Sequence, residues 1–361
     1  MTSITENTFM EQEATSSIAS FFKEFGIGQA LKRANAYKNK GFSPVNIMLY
    51  LVRLVYMGRS MYRDSRLGER SVIGTSVDAV YRFLRNTSIN WNTFLLAVSA
   101  KVIGWVDILT STERLCALIL DDTLLERRYG KKTELASRVF DHNNRKYKCG
   151  FRSLFLGWTD WATFIPVAFR HLASSKPSNV YCAARKGSDK RTCGAKAKKE
   201  AVMKATDVAL RMLRDAKKHA LPAKHVSFDS WFTNPKFVLD IAKIGYHVVG
   251  RIKNGAARYL FEGKALTLKQ IYQQSKKRRG RSRYLLSVEV VVRDGDGSAL
   301  DARIVYVRNS KKRKDWIAFL CTDMMLTEDQ IIELYGKRWS KMPISHLYRC
   351  FWKSLYQRPI T

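Results

Sequence analysis

Three aspartates stand where short apolar stretches of the sequence end, and their arrangement indicates chemistry on phosphate. Asp121 and Asp122 close the run "RLCALILDD", and Asp229 follows "AKHVSF". Both runs are typical of buried strands, and neighbouring parallel strands bring their carboxyl ends to one edge of a sheet. In a chain of formal charge +33, convergent carboxylates indicate ligands for Mg²⁺ or Mn²⁺, which prefer oxygen. Two such ions about 3.5–4 Å apart activate water in phosphodiester cleavage.

A structural role for these aspartates is the alternative. Asp122 precedes Thr123 and Asp229 precedes Ser230, and such pairs often cap the turn that follows a strand. Each motif taken alone is compatible with that simpler role.

The charge of the chain indicates a polyanionic partner. Lys and Arg number 64 against 31 Asp and Glu, which is more self-repulsion than solubility requires, so nucleic acid is the leading candidate. Two dense basic stretches bracket a segment predicted to be a β-hairpin, a placement that favours contact with phosphate over a merely solvated charge run. Their cations are Lys276, Lys277, Arg278, Arg279, Arg281, Arg283, Lys311, Lys312, Arg313 and Lys314.

A membrane role is not expected. The longest uncharged run, residues 86–100, contains Asn, Ser, Thr and Trp, and the N-terminal residues carry acids where a signal peptide needs cations. We therefore expect a cytoplasmic protein.

The elements that would position the aspartates follow from the local patterns. Residues 1–110 are predicted to be helical, with Ser43 capping a helix that begins at Pro44 and stops at Gly58. A short helix opened by Ser76 fits the second helix of a DNA-reading helix-turn-helix, or equally an ordinary helix of a small bundle.

The rest of the chain is predicted to alternate strands and helices. Residues 111–253 predict a core with a parallel βαβ unit, its helix capped by Asn234, opened by Pro235 and stopped by Gly245. Residues 254–325 predict a β-rich insertion, and 326–361 begin with a helix whose capping box joins Thr327 to Gln330.

Three stretches together resemble a known family. "LDDT" at 120–123, "FDSWF" at 228–232 and "YGKRW" at 335–339 are similar to the three signatures of bacterial insertion-sequence transposases of the DDE class. The group is the one with the third signature Y-x2-R-x3-E-x6-K, to which the Tn5 and Tn10 transposases belong. The resemblance spans roughly residues 20–339 and implies an α/β protein: an all-helical N-terminal domain followed by an RNase H-like catalytic core with a β-rich insertion.

The resemblance also implies roles for single residues. Asp122 corresponds to the first catalytic carboxylate and metal ligand, with Asp121 as the alternative one residue away, and Asp229 corresponds to the second. Tyr335 and Arg338 match the third signature, in which the Arg would contact DNA phosphate. The implied partners are double-stranded DNA, at element ends and target, and a second copy of the chain.

A tryptophan of the β-rich insertion holds a flipped base in hairpin-forming members of the family. Trp316 is the candidate counterpart, with a buried core Trp as the other interpretation.

The third signature breaks off after Arg338. The catalytic Glu and the Lys of the signature fall on Met342 and Arg349, and Ala, Val, Gly, Asp and Glu, 105 of 361 residues, are absent from the 22 residues that start at Ser340. Codons for these five residues begin with G, and translated frameshifts commonly lose that bias. Our hypothesis is that the reading frame shifts at about residue 339, so that the true C-terminal segment is lost. We therefore expect the chain to be catalytically impaired.

Two other functions remain open from the sequence. One is a DNA-binding protein without catalysis that inhibits the full-length enzyme by competing for element ends. The other is an RNase H-like nuclease unrelated to transposition, which the strand-end aspartates also fit.

Overall fold

The structure is a computed structural model that describes residues 13, 15–38, 40–66, 76–111, 114–142, 144–185, 189–280, 282–310, 312, 315–336 and 338. Within the described residues the chain forms two compact units, one within residues 13–102 and 183–200, the other within residues 103–182 and 201–338. Among the described residues, no helix is both long and apolar enough to cross a bilayer.

The first unit is helical where the structure describes it. Its helices are α1 (residues 15–24), α2 (Ile27–Arg33), α3 (Pro44–Tyr56), α4 (Met61–Arg66) and α5 (Val77–Leu84), and it contains most of α6 (Trp91–Ile108) and α7 (Cys193–Ala201). One apolar cluster joins side chains of α1, α2, α3 and α5 with the first turns of α6.

The predicted helix boundaries in this unit are confirmed. Ser43 Oγ accepts a hydrogen bond from the Asn46 N–H at 3.2 Å, and α3 begins at Pro44. The Oγ of Ser76 caps α5 in the same way, through the Ala79 N–H at 3.2 Å. Val80 and Phe83 of α5 are buried, whereas Arg82 is exposed. A role of this helix in reading DNA stays a prediction.

The second unit contains one sheet of eleven strands. Its strands are β1 (Ala117–Glu126), β2 (Ser137–Asp141), β3 (Lys146–Thr159), β4 (Phe164–Leu172), β5 (His225–Phe228), β6 (His247–Ile252), β7 (Arg258–Phe261), β8 (Lys264–Thr267), β9 (Leu286–Arg293), β10 (Ala299–Arg308) and β11 (Trp316–Cys321). The strand order is β2-β3-β1-β5-β6-β11-β10-β9-β7-β8, and β4 also pairs with β3.

The part of the sheet around β1 has RNase H-like topology. β3 runs antiparallel to β1 and to β4, whereas β5 runs parallel to β1 and β6 parallel to β5. Helix α8 (Ala205–Lys218) contacts β3 and β4, and α9 (Pro235–Ile244) joins β5 to β6. The predicted fold class, an RNase H-like α/β core preceded by helices, is confirmed.

The caps predicted for the βαβ helix are present. Asn234 Oδ1 accepts from the Phe237 N–H at 3.0 Å, Pro235 opens α9, and Gly245 ends it with φ of +90°. Because an L side chain is strained at this φ, glycine suits the stop position.

One feature differs from the sequence interpretation. β1 does not end at the aspartates but continues to Glu126, because β3 pairs with it up to Gly150. The strands of the β-rich segment of residues 254–325 extend the core sheet, because β11 pairs with β6.

The last two helices of the second unit are α10 (Leu268–Gln274) and α11 (Glu328–Gly336). The capping box predicted before α11 is present, since the Thr327 N–H donates to Gln330 Oε1 at 2.9 Å and the Gln330 N–H to Thr327 Oγ1 at 3.3 Å. Val249 of β6 and Phe319 of β11 pack with Tyr335 of α11 in one apolar cluster. Helix α11 therefore lies on the sheet face that carries Val249.

Candidate active site

Asp121 and Asp229 stand at the same level of two neighbouring parallel strands. The paired residues of β1 and β5 run from Ala117 opposite His225 to Leu120 opposite Phe228. Asp121 is the next residue of β1, and Asp229 is the first residue after β5. Residues at equivalent positions of adjacent strands point to the same face. The register therefore places both carboxylates on one face, at the end of the sheet toward which β5 and β6 point, here called the carboxylate end.

The same face carries α11. Ile119, Ser227 and Val249 are level with one another across β1, β5 and β6, and Val249 packs with α11. Asp121 and Asp229 each follow two residues later, so alternation returns their side chains to this face.

Arg338 is paired with Asp121, although the two residues lie far apart in the sequence. Its Nη2 lies 3.1 Å from Asp121 Oδ1, its Nη1 donates to the Tyr335 hydroxyl at 3.3 Å, and its side chain is 3% exposed. Tyr335 is buried, with its ring centroid 4.5 Å from that of Phe319. The two residues predicted to contact DNA phosphate thus lie against the carboxylates, and Arg338 is paired with Asp121.

Burial and the positive charge of Arg338 have opposite effects on the pKa values of Asp121 and Tyr335. Burial raises the pKa of Asp121, the Arg338 guanidinium opposes that rise, and the nearby Asp122 and Asp229 add to it. Burial also raises the pKa of Tyr335, again against the effect of Arg338. The effect of Asp229 on Asp121 agrees with the register, which places the two carboxylates on neighbouring strands.

Asp122 lies on the opposite face. It pairs in register with Leu154 of β3, whereas Asp121 pairs with Phe155. Its Oδ2 accepts a charge-assisted hydrogen bond from Nε of Arg152, whose guanidinium lies 4.2 Å from the ring centroid of Trp231. The convergence expected for Asp122 and Asp229 is therefore found for Asp121 and Asp229, because one step along a strand reverses the face.

Asp229 also has the local role considered as its alternative. Its Oδ1 accepts from the Trp231 N–H at 2.7 Å, and its carbonyl oxygen accepts from Thr233 Oγ1 at 3.2 Å. These bonds fix the turn between β5 and α9 and hold the carboxylate in one orientation. The turn role and a ligand role are compatible, because a carboxylate has two oxygens.

The described part of the chain contains no complete set of metal ligands. Among those residues, no three His, Cys, Asp or Glu side chains are grouped so that they could hold a metal ion. Asp121 and Asp229 supply two carboxylates, and Met342, at the position of the expected third, lies outside the described residues together with Arg349.

The two basic segments both lie at the carboxylate end of the sheet. β11 begins where β6 ends, because Ala318 pairs with Ile252, and β9 begins where β10 ends, because Leu286 pairs with Tyr306. Residues 275–285 lead into β9 and residues 309–315 join β10 to β11. A hydrogen bond of 3.0 Å from Arg308 Nη2 to the Gly280 carbonyl connects the first segment to the end of β10.

Most of the described cations in these segments are exposed. Lys276, Arg278, Arg279, Arg283 and Lys312 are exposed, and Lys277 is half-buried. Arg278 stacks on Tyr284 at 4.5 Å, Lys277 on Tyr272 at 4.9 Å, and Arg283 pairs with Asp329 at 3.4 Å. Arg281, Lys311, Arg313 and Lys314 lie outside the described residues.

Trp316 packs among aromatic side chains of its own unit. Its ring centroid lies 4.9 Å from that of Tyr306 and 5.3 Å from that of Tyr272. This packing favours a structural role over a base-holding one.

Sequence reasoning missed Arg152 and Trp231, because the contacts of Arg152 with Asp122 and with Trp231 join residues far apart in the chain. It ranked Asp122 above Asp121, although a sequence signal for the reverse was present. "ALIL" and "HVSF" are four-residue runs, each followed directly by aspartate, and aligning them levels Asp121 with Asp229.

Comparison with known proteins identifies the family of the chain. No curated protein matches the chain. A solved structure, the Drosophila P element transposase strand transfer complex, is 11% identical with a TM-score of 0.29, over 65% of this chain and 49% of that one. The chain thus spans about half the length of that relative. The family model described as DDE superfamily endonuclease matches residues 50–296, and the chain belongs to that family.

Proposed function

We propose that the protein is a DDE transposase, which cleaves duplex DNA at the ends of an insertion sequence and transfers the freed strand to target DNA. The observation that carries the proposal is the level placement of Asp121 and Asp229 on the face that also carries Tyr335 and Arg338. Membership of the DDE endonuclease family supports it.

The two aspartates fit a divalent ion that prefers oxygen. Asp121 and Asp229 would hold Mg²⁺ or Mn²⁺, and the Trp231 N–H and the Arg338 guanidinium orient the two carboxylates. The chemistry that such an ion supplies is activation of water and stabilisation of the leaving oxygen. Arg338 neutralises Asp121 and thus competes with a cation for it.

The basic segments at the carboxylate end would bind the DNA backbone. They lie at the end of the sheet where the carboxylates converge, so bound phosphates would be brought to the cleavage site. Double-stranded DNA as substrate, a homodimer on paired ends and a cytoplasmic location at the nucleoid are parts of the same proposal.

Catalysis by this chain should be impaired. Position 342 holds Met, whose thioether is a poor ligand for Mg²⁺. Loss of one such catalytic group typically lowers the rate by a factor of about 10² or more.

The test is strand cleavage and strand transfer on DNA fragments that carry the sequences flanking the coding region, with Mg²⁺ or Mn²⁺. We expect weak cleavage by the wild-type chain, less by Asp229→Asn and more by Met342→Glu. Equal cleavage by wild type and Asp229→Asn would contradict the assigned site, and robust wild-type cleavage would contradict the impairment.

A second candidate is a DNA-binding protein without catalysis that competes for element ends. The pairing of Arg338 with Asp121 favours it, because that carboxylate is already neutralised. This candidate requires end binding that weakens steeply with salt, and no cleavage even when Glu replaces Met342 and the tail from residue 340 is replaced by the sequence of the restored reading frame. An RNase H-like nuclease, the third, would cut selected DNA structures and yield no strand-transfer product.

A further inference from the structure

The β2–β3 hairpin presents aromatic and cationic side chains that the proposed active site does not use. Phe140 of β2 and Tyr147 of β3 form a register pair, and Arg138 pairs with Cys149, so Arg138, Phe140 and Tyr147 share one face. These three residues are here called the hairpin patch. Tyr147 is 58% exposed and Phe140 is 39% exposed.

The hairpin patch lies on the same sheet face as Asp121. In the β1–β3 ladder Asp121 pairs with Phe155 and Leu125 with Phe151. Alternate residues of β3 from Phe155 back to Tyr147 point to one face, and the register carries that face to Arg138 and Phe140 of β2. The hairpin also extends beyond Asp121 in the direction of the carboxylate end, because it continues past Glu126.

The side chains of the hairpin patch pack against one another, with the planes of the Phe140 and Tyr147 rings inclined at 66°. The Arg138 guanidinium lies 4.0 Å from the Tyr147 ring centroid, and the Phe140 and Tyr147 centroids are 5.1 Å apart. Two further cation–aromatic pairs belong to the neighbouring loops, Arg128 with Tyr129 and Lys131 with Tyr181, each at 5.7 Å.

The charge around the hairpin decides the kind of partner. Residues 127–148 contain eight Lys or Arg and two Asp or Glu, so a second copy of this basic chain would be repelled. A polyanion with planar groups complements both features: phosphates meet the cations, and unpaired bases stack on the exposed rings.

We propose that the hairpin patch binds an unpaired DNA segment several nucleotides from the cleaved phosphate, with bases on Phe140 and Tyr147 and a phosphate on Arg138. Six to eight residues of β3, at about 3.3 Å each, separate the patch from the position opposite Asp121. The inference rests on the proposed function. It adds to that function a surface that binds the DNA strands where they separate at the end of the insertion sequence. The basic segments near β9 and β11 lie on the other side of the carboxylates in the strand order, so the substrate would cross the site between them.

The test is fluorescence anisotropy with a labelled oligothymidine of about 15 nucleotides and a duplex of equal length. Tyr147→Leu should weaken single-strand binding at least about fivefold, since stacking contributes about 1–3 kcal/mol per base. Tyr147→Phe, which keeps the ring, should bind within about twofold of wild type. Arg138→Gln should reduce the slope of log affinity against log salt by about 0.7.

Lys236→Gln is the matched charge control. Lys236 is exposed at the start of α9, and the next residue of that helix, Phe237, packs on Phe228, which lies on the sheet face opposite to the hairpin patch. Lys236→Gln should leave the slope of log affinity against log salt at its wild-type value. Melting temperatures of all variants would show whether the hairpin is still folded.

Crosslinking of an oligonucleotide that carries 5-iodouracil gives a second readout, and we expect it to label a peptide containing Tyr147 or Phe140. Unchanged single-strand affinity in folded Tyr147→Leu, or equal losses in Tyr147→Leu and Tyr147→Phe, would overturn the inference. The absence of metal-dependent cleavage and strand transfer would count against the proposed function instead. The comparison of single-strand affinities between wild type, Tyr147→Leu and Tyr147→Phe would still be valid.

Discussion

Nη2 of Arg338 lies 3.1 Å from Oδ1 of Asp121, although 217 positions separate the two residues in the sequence. Burial raises the pKa of Asp121, and the Arg338 guanidinium limits that rise. A metal ion requires the deprotonated carboxylate, so binding should strengthen as the pH rises through this pKa.

Replacing Arg338 by Gln should move the midpoint of Mn²⁺ binding to higher pH, because Asp121 then loses the charge that opposes burial. Paramagnetic resonance of free Mn²⁺ at a series of pH values measures the midpoint. Arg152→Gln is the control, since it removes the cation beside Asp122 on the other face. An identical midpoint in Arg338→Gln and wild type would rule out this electrostatic role.

The two adjacent aspartates should respond differently to the same substitution. Asp121→Asn should weaken Mn²⁺ binding at pH 7 by about tenfold or more, whereas Asp122→Asn should change it by less than about twofold. Asp122→Asn should instead lower stability by about 1 kcal/mol, through the weakened hydrogen bond with Arg152. Calorimetric titration with Mn²⁺ and urea unfolding measure the two effects, and a larger loss of Mn²⁺ affinity in Asp122→Asn would reverse the assignment.

His171 should make the protein less stable in acid. Burial, with a smaller effect of Arg127, lowers the pKa of His171 to about 4 in the folded state. The unfolded chain therefore takes up this proton more readily, and stability falls as the pH drops from about 6.5 to about 4, by about 3 kcal/mol in total.

The variant His171→Asn cannot take up this proton. Its free energy of unfolding in urea should depend less on pH over this interval than that of wild type, whatever its absolute stability. Equal pH slopes for the two proteins would show that His171 is not the group responsible.

Gly150 should be intolerant of a side chain. It lies where β3 passes both β1 and β2, and a Cβ built there would be 2.0 Å from the Leu125 carbonyl oxygen. Gly150→Ala would therefore force backbone atoms of β1 and β3 apart and should cost about 1–3 kcal/mol.

Gly255→Ala is the comparison for Gly150→Ala, because the nearest atom to its Cβ would be 4.0 Å away. Urea midpoints of the two variants measure the difference. Similar midpoints would mean that β1 and β3 can separate at little cost.

Much of the fold followed from local patterns, while the site depended on long-range pairing. The caps of α3, α5 and α9 are set by residues within one turn of each helix start, so Ser43, Ser76 and Asn234 could be assigned from sequence. The choice between Asp121 and Asp122 depends on the register between β1 and β5, which lie more than a hundred residues apart.

The continuation of the sheet through β11 could not be predicted for a similar reason. Apolar alternation identifies β9, β10 and β11 as strands but does not indicate which edge they join. The pairing of Cys321 with Val249 attaches them to the core, and that contact has no local sequence signal.

The unbroken sheet gives the molecule a fixed spacing between the carboxylates and the loop that joins β10 to β11. That loop stands two to three strands from β5 in the order β5-β6-β11-β10, or about 10–14 Å at about 4.8 Å per strand. Along one strand of a duplex this is about three to four nucleotides. The hydrogen bonds between the strands would therefore fix the distance between the phosphate bound by this loop and the phosphate that is cleaved at the carboxylates.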